Sequence, residues 1–275
     1  MPLVIDPAIP AILLGSIVGL ILAISGAGGG IIAVPLLVFG LGLPVREAGP
    51  IGLLAVGVAA GLATVLGLRK GIVRYRAAAL VGAFGVLMAP LGVWLAQRIP
   101  NVPLMVAFAL ILAWTGVQAL RRTLTSTMKE KELLTGQPCR IGPDTGRFIW
   151  NLPCARMLSL TGLLSGLMSG LLGVGGGFVI IPALTRYSDL DQRSILATSL
   201  GVITLVACGS VAAAAAGGSI AWPVAIPFGA GAVAGLLAGR LIAARLAGPR
   251  LQQSFAVVCL LVAGLMLARA TGVLL

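Results

Sequence analysis

The stretch SGAGGGIIAVP, residues 25–35, places four glycines and a proline inside a long apolar run. A second stretch, LGVGGGFVIIP at residues 172–182, repeats each of these glycines and the proline 147 positions later. Glycine adopts backbone angles that other residues resist, and its lack of a side chain permits close approach. Both stretches therefore predict a break within an apolar helix.

The repeat extends well beyond the glycines. Residues 19–122 align with residues 166–269 without a gap, and the alignment keeps glycines and arginines in register. The matched pairs include Gly19 and Gly166, Arg46 and Arg193, Gly82 and Gly229, Arg98 and Arg245, and Phe108 and Phe255. Chance similarity between apolar stretches would match mainly Leu, Val and Ala, so the sequence indicates an internal duplication. We expect a first transmembrane repeat at residues 1–122, a linker at 123–156 and a second repeat at 157–275.

Hydrophobic residues make up 59% of the 275 residues and charged residues only 9%. This composition leaves too few polar groups to cover the surface of a soluble domain. The chain is predicted to be an all-α integral membrane protein, and no stretch indicates a β-strand. Six runs have spanning length: 45–68, 72–96, 102–120, 194–216, 221–243 and 251–268. The net charge of +12 does not indicate a nucleic-acid partner, because the Lys and Arg residues lie in loops between apolar runs.

The first segment of each repeat is too long for one straight span. Residues 11–43 would form a helix of roughly 50 Å, against a hydrocarbon core of about 30 Å. With the break at the glycines, we expect half-helices of about 14 and about 10 residues, neither long enough to cross alone. Residues 157–187 have similar dimensions and the same break.

Positive charges distinguish two topologies. If all eight segments cross the membrane, twelve Lys and Arg residues lie inside and seven outside. If each broken segment is a re-entrant hairpin, the second repeat is inverted, and sixteen lie inside and three outside. The inverted model is preferred, and it predicts that both termini lie outside the cytoplasm while the linker lies inside.

Broken helices in an inverted repeat place helix N-termini near the bilayer midplane. There, the free N–H groups and the positive end of the helix dipole can bind an anion. The predicted binding residues are Gly28, Gly29, Gly30, Gly175, Gly176 and Gly177. The alternative is that these glycines only form a tight turn or permit helices to cross closely.

Four polar residues are further candidates for substrate binding, each with a structural alternative. Arg46 and Arg193 follow the broken segments; they either attract the anion from opposite faces or anchor helix ends at the headgroups. The hydroxyls of Thr198 and Ser199 either bond substrate oxygens or bond their own helix one turn back.

Other classes of site are excluded by composition. The chain has no histidine, and its seven acidic residues lie in loops or at the ends of spans. This composition argues against a membrane-embedded proton relay, an intramembrane metal site and catalysis by a general base. We therefore expect no cofactor and no enzymatic activity. The glycine clusters lack the third glycine of a dinucleotide-binding motif. The four cysteines are interpreted as small hydrophobic packing residues.

The sequence resembles the sulfite exporter TauE/SafE family of bacterial membrane proteins. The resemblance rests on SGAGGGIIAVPLL followed by Arg46, on GLLGVGGGFVIIPAL followed by ATSL, and on APLGVWLAQRIP with its counterpart GLLAGRLIAARL. It implies a secondary transporter in the bacterial cytoplasmic membrane that moves small sulfur-containing anions, such as sulfite or organosulfonates, usually outward.

The first repeat departs from the pattern at EAGPIGLL, where the second repeat has the polar pair of ATSL. An anion channel and a non-transporting membrane scaffold remain as alternative functions. The sequence also leaves open whether the chain forms a homodimer in the lipid bilayer.

Overall fold

The computed structural model describes residues 8–25, 29–124, 139, 151–246 and 249–271. These residues form helices and no β-strand, apart from one isolated bridge between Cys139 and Ser188, which confirms the predicted all-α fold. The helices are α1 (Ala8–Ser25), α2 (Gly29–Gly40), α3 (Val45–Arg69), α4 (Tyr75–Arg98), α5 (Asn101–Leu124), α6 (Leu152–Leu172), α7 (Gly177–Tyr187), α8 (Gln192–Ala216), α9 (Trp222–Leu246) and α10 (Pro249–Ala270). The bounds follow the 147-residue offset closely, since α3 and α8 begin and end at equivalent positions.

Six helices of the described residues are long and apolar enough to cross a membrane. Five of them, α3, α4, α5, α8 and α9, correspond to predicted spans. The sixth is α6, and here the prediction that the first arm is too short to cross alone was wrong, whereas the second arm, α7, has 11 residues and is short as predicted. The helix begins at Leu152, with Asn151 as its N-cap and a proline in its first turn, and its 21 residues are enough to span.

The outward-facing side chains of the bundle are apolar. Large hydrophobic side chains with at least half of their surface exposed include Leu13, Leu87, Leu110, Leu164, Ile226, Leu241 and Leu261. An apolar exterior of this extent suits contact with lipid chains and would be unfavourable in water.

Each broken segment forms a hairpin. A Cβ added at Gly29 would meet Leu22, and one added at Gly40 would meet Leu14, so α2 runs back along α1. In the second repeat, Gly176, at the start of α7, likewise lies against α6. The second arm therefore returns toward the side from which the first arm came, as a re-entrant segment does.

The two repeats pack against each other through small residues. A Cβ at Gly19 of α1 would overlap the backbone of Ala232 in α9, and a Cβ at Gly166 of α6 would overlap the backbone of Gly85 in α4. These contacts are equivalent under the 147-residue offset. Such close approach of helices is typical of membrane bundles, where small residues replace bulky ones at the interfaces.

Contacting residues also give the relative directions of the long helices. Gly57 of α3 faces Ala207 of α8, and Gly61 faces Thr204, so these two equivalent helices run antiparallel. An inverted repeat requires this relation between equivalent helices. The antiparallel register thus agrees with the inversion that the charge count predicts.

One element of the linker corrects the sequence interpretation. Cys139 and Cys154 form a disulfide, so these two cysteines do not serve only as small packing residues. The N–H of Cys139 donates to Tyr187 O (3.1 Å), and the N–H of Asp189 donates to Cys139 O (3.3 Å). The disulfide and these two hydrogen bonds together tie the start of α6 to the end of α7.

The helix directions lead to a prediction about orientation in the membrane. They place the 69–76 loop, the end of α5 and the start of α6 on one side and the start of α1 and the end of α10 on the other, and the basic side should be cytoplasmic. We expect reporter fusions in the 69–76 loop and the 123–156 linker to report a cytoplasmic location, and fusions at both termini an external one. A cytoplasmic C-terminus would contradict the inverted model.

The disulfide provides a second readout of the same orientation. Glutathione keeps cytosolic thiols reduced. Both cysteine side chains are buried, so the cells should be denatured in the presence of a thiol reagent; we expect Cys139 and Cys154 to be labelled in unstressed cells and to be protected after oxidation. Protection in unstressed cells would instead place the linker outside.

Candidate functional site

The glycine-rich tips of the two hairpins meet inside the bundle. The backbone of Gly30 lies so close to Val174 that an added Cβ would overlap its carbonyl oxygen. The same Cβ would lie 3.5 Å from Val56, and a Cβ at Gly175 would lie 3.1 Å from Ile203. Val56 and Ile203 are equivalent residues near the midpoints of the 25-residue helices α3 and α8. The tips therefore meet halfway along the two central helices, near the predicted bilayer midplane.

Glycine is required where α6 gives way to α7. Gly173, Gly175 and Gly176 have φ angles of 73°, 76° and 69°, a left-handed conformation that other residues rarely adopt. A Cβ at Gly173 would also overlap the backbone of Gly49 in α3. This glycine cluster therefore forms a tight turn, and forming a turn does not exclude a role in binding.

The N-termini of α2 and α7 carry uncompensated positive dipole ends. Neither helix has an acidic residue in its first turn, and the N-cap of α7 is Gly176, which has no side chain to cap the helix. The N–H groups of Val179 and Ile180 both donate to Gly176 O, at 3.0 and 3.1 Å. The N–H of Gly177 precedes them in the first turn, where a helix leaves donors without internal acceptors. A buried anion is the natural partner of such an end.

The six predicted glycines differ in their surroundings. Gly29 packs against its own hairpin, because an added Cβ would lie 2.6 Å from Leu22 Cβ. Gly30 lies at the contact between the tips, whereas Gly176 lies against Ser165 of α6. Gly28 is outside the described residues.

Thr198 and Ser199 are fully buried but are engaged within the protein. The hydroxyl of Thr198 accepts a hydrogen bond from the N–H of Arg74 at 3.1 Å, which ties α8 to the basic loop. The hydroxyl of Ser199 donates to Leu196 O at 2.8 Å within its own helix. Ser199 therefore bonds its own helix, as the structural alternative states, whereas Thr198 bonds the N–H of Arg74 in another segment. Neither residue is in recorded contact with the glycine tips.

Arg46 is exposed and lies beside a small recess. The recess has a volume of about 10 Å³, enough for one water molecule, and its lining includes Gln97, Ser219 and Gly49. Gly49 also packs on Gly173, so the recess adjoins the tip of the second hairpin. This geometry suits a charge that attracts an anion toward the tips.

Arg193 is exposed at the start of α8, on the opposite side of the bundle from Arg46. Its backbone N–H donates to the carboxylate of Asp191 at 3.1 Å, which caps the helix. The two arginines thus lie at opposite ends of the antiparallel pair α3 and α8, and the structure does not bring them together.

Three polar residues near the second tip escaped the sequence analysis. Ser165, Ser169 and Ser210 have at most 1% of their surface exposed, and their hydroxyl oxygens have no hydrogen-bond partner. The only sequence signal was the four-residue spacing of the two serines in LLSGLMSG, which places them on one helix face. Among the described residues, no group of His, Cys, Asp or Glu could hold a metal ion.

Comparisons with known proteins identify the family of the chain. The model of the sulfite exporter TauE/SafE family matches residues 11–266. Two proteins named "Probable membrane transporter protein" are similar, both from Xylella fastidiosa. The protein from strain 9a5c is 29% identical over 84% of this chain and 83% of its own length, and that from strain Temecula1 / ATCC 700964 is 28% identical over 86% and 85%. No solved structure matches significantly. The chain belongs to the sulfite exporter TauE/SafE family, and this membership supports a membrane transporter.

Proposed function

We propose that this member of the sulfite exporter TauE/SafE family is a secondary transporter that exports small sulfur-containing anions across the bacterial cytoplasmic membrane. Sulfite is a proposed substrate because the family is described as a sulfite exporter. Organosulfonates are proposed with it because they carry a similar anionic group of oxygen atoms bound to sulfur. The observation that carries the proposal is the contact of the two glycine-rich hairpin tips beside Val56 and Ile203, midway along α3 and α8.

The chemistry of the site suits an anion bound without a charged partner. An oxyanion at the tips would accept hydrogen bonds from free backbone N–H groups and would interact with two positive dipole ends. Because no acidic residue lies in the first turn of α2 or α7, no carboxylate of these turns repels or replaces the anion. Arg46 and Arg193 would raise the local anion concentration at the two entrances.

Binding by dipoles also favours release. A buried arginine would hold an oxyanion through charge-assisted hydrogen bonds, which are about twice as strong as neutral ones. Backbone donors bind more weakly, and a transporter must release its substrate on the other side of the membrane. Rocking of one repeat against the other around the fixed site would then expose the anion alternately to each face.

Transport by purified protein in proteoliposomes tests this proposal. We expect saturable flux of sulfite or a short alkylsulfonate, with counterflow of labelled substrate driven by unlabelled substrate, at set pH and voltage. Single-channel currents would show instead that the protein is an anion channel. Absence of binding across a broad panel of sulfur anions would favour the scaffold alternative.

A further inference from the structure

Three buried serine hydroxyls in the bundle lack a partner. The Oγ atoms of Ser165, Ser169 and Ser210 make no hydrogen bond, although each residue is almost completely buried. Other hydroxyls in the bundle bond a carbonyl three or four residues back: Thr64, Thr115, Thr161, Ser199 and Thr204. An unpaired buried hydroxyl is costly, so each such group requires a specific explanation.

The hydroxyl of Ser165 lies at the N-terminus of α7. A Cβ added at Gly176, the N-cap of α7, would overlap Ser165 Oγ, so this hydroxyl directly faces the backbone that opens the helix. Ser169 lies one turn along the same face of α6, and its carbonyl oxygen accepts the N–H of Gly173 at 2.8 Å. Both serines therefore border the turn that carries the glycine cluster.

Ser210 lies at the same level of the bundle as Ser169. Gly85 of α4 contacts both α6, at Gly166, and α8, at Val206. α6 and α8 both run parallel to α4, so one further turn along each helix leads from these contacts to Ser169 and Ser210. Ser210 is therefore level with Ser169 on a neighbouring helix, two turns beyond Ile203, which meets the second hairpin tip.

The first repeat has no counterpart of this polar cluster. The residues 147 positions earlier are Val18, Leu22 and Ala63, all of them buried and apolar. The two tips are therefore chemically different, and an anion between them meets hydroxyl donors on one side only.

We propose that Ser165, Ser169 and Ser210 bind the oxygen atoms of the transported anion and hold its charged head at the second hairpin. This inference rests on the proposed function and adds its specificity-determining residues. The hydroxyls supply donors that complement the N–H groups at the start of α7. An organosulfonate would direct its carbon chain toward the apolar side formed by Val18 and Leu22.

Alanine substitutions test this assignment by separating binding from stability. We expect Ser165→Ala and Ser169→Ala each to weaken the affinity for sulfite and propane-1-sulfonate by about tenfold or more, since each removes a hydrogen bond to a charged group. The same variants should unfold at an equal or higher temperature without ligand, because an unpaired buried hydroxyl has been removed. Ser210→Ala should weaken binding in the same sense.

Thr161→Val provides the matched control on α6. Thr161 is buried one turn before Ser165, but its hydroxyl donates to Met157 O at 2.7 Å, so affinity should not change. Wild-type binding with unchanged affinity in all three serine variants would overturn this inference and leave the proposed function intact. Failure of the wild-type protein to bind either anion would overturn the proposed function, and this inference with it.

Discussion

Gly176→Ala is expected to lower anion transport by at least about tenfold, which corresponds to a loss of about 1.4 kcal/mol of anion binding at the start of α7. Gly176 has a φ of 69°, where alanine costs about 1–2 kcal/mol relative to glycine. The new Cβ would also overlap the hydroxyl of Ser165 and lie 2.9 Å from its carbonyl oxygen. Relief of this overlap must move the N-terminus of α7 away from α6, which displaces the N–H groups proposed to bind the anion. Flux in proteoliposomes and thermal stability should be measured on the same preparation.

Gly218→Ala separates the backbone cost from the contact with α6. Gly218 has a φ of 65°, but no atom lies within 4 Å of an added Cβ. Because alanine is disfavoured at this φ, Gly218→Ala should lose about as much stability through its backbone conformation as Gly176→Ala does. It should retain transport when the two variants are compared at equal abundance in the membrane. Equal transport by Gly176→Ala and Gly218→Ala would show that the position of the second tip does not determine anion binding.

The same contacts change the meaning of a valine substitution in the first hairpin. On the sequence alone, Gly29→Val would block transport because its methyl groups occupy the place of the ligand. In the structure, a side chain at Gly29 would first meet Leu22 of its own hairpin. Loss of transport in that variant would therefore reflect disrupted packing of α2 on α1 as well as loss of anion binding.

Much of the fold could be predicted from the sequence because hydropathy and the repeat are local signals. The offset of 147 residues gives equivalent bounds for α3 and α8, and the glycine clusters mark both helix breaks. The length of α6 was underestimated because Leu152 and Pro153 lie before the apolar run that defined the segment. A proline in the first turn, rather than hydrophobicity, marks that boundary.

The site was less predictable because its contacts are long-range. Glycine clusters indicated where backbone could approach a ligand, but not that Gly30 would lie on Val174. Ser165 and Ser169 were missed because serine in a membrane helix ordinarily bonds its own backbone, and only the structure shows that these two do not. Thr198 was proposed for binding, although its hydroxyl accepts the N–H of Arg74, which lies 124 residues earlier.

The disulfide also could not be predicted from the sequence. Cys139 lies in a polar linker and Cys154 at the start of an apolar run, and their spacing matches no known pattern. Their pairing depends on the linker approaching the residues after α7, which is a tertiary contact.

Gly166→Leu is expected to prevent accumulation of folded protein. Gly166 faces the backbone of Gly85, and a Cβ there would overlap the Gly85 carbonyl oxygen and Cα. Overlap with backbone cannot be relieved by a change of rotamer, so α6 and α4 must separate. Overpacking in a core costs about 1–3 kcal/mol or more, and Gly162 and Gly170, which make equally close contacts with α4, would lose them at the same time. Size-exclusion chromatography and thermal unfolding in detergent measure the loss.

Two further variants test whether the loss of stability arises from close packing where two helices cross. Gly19→Leu alters the equivalent contact of α1 with Ala232 and should be as damaging, because the two repeats use the same packing. Gly264→Leu is the matched control, since Gly264 is an exposed glycine of α10 with no atom within 4 Å of an added Cβ. That change should leave stability unchanged or raise it by about 1 kcal/mol through better helix propensity. If Gly166→Leu is as stable as the wild type, α4 and α6 do not pack at this distance. The position assigned to the second hairpin tip would then also be wrong, because α6 carries that tip.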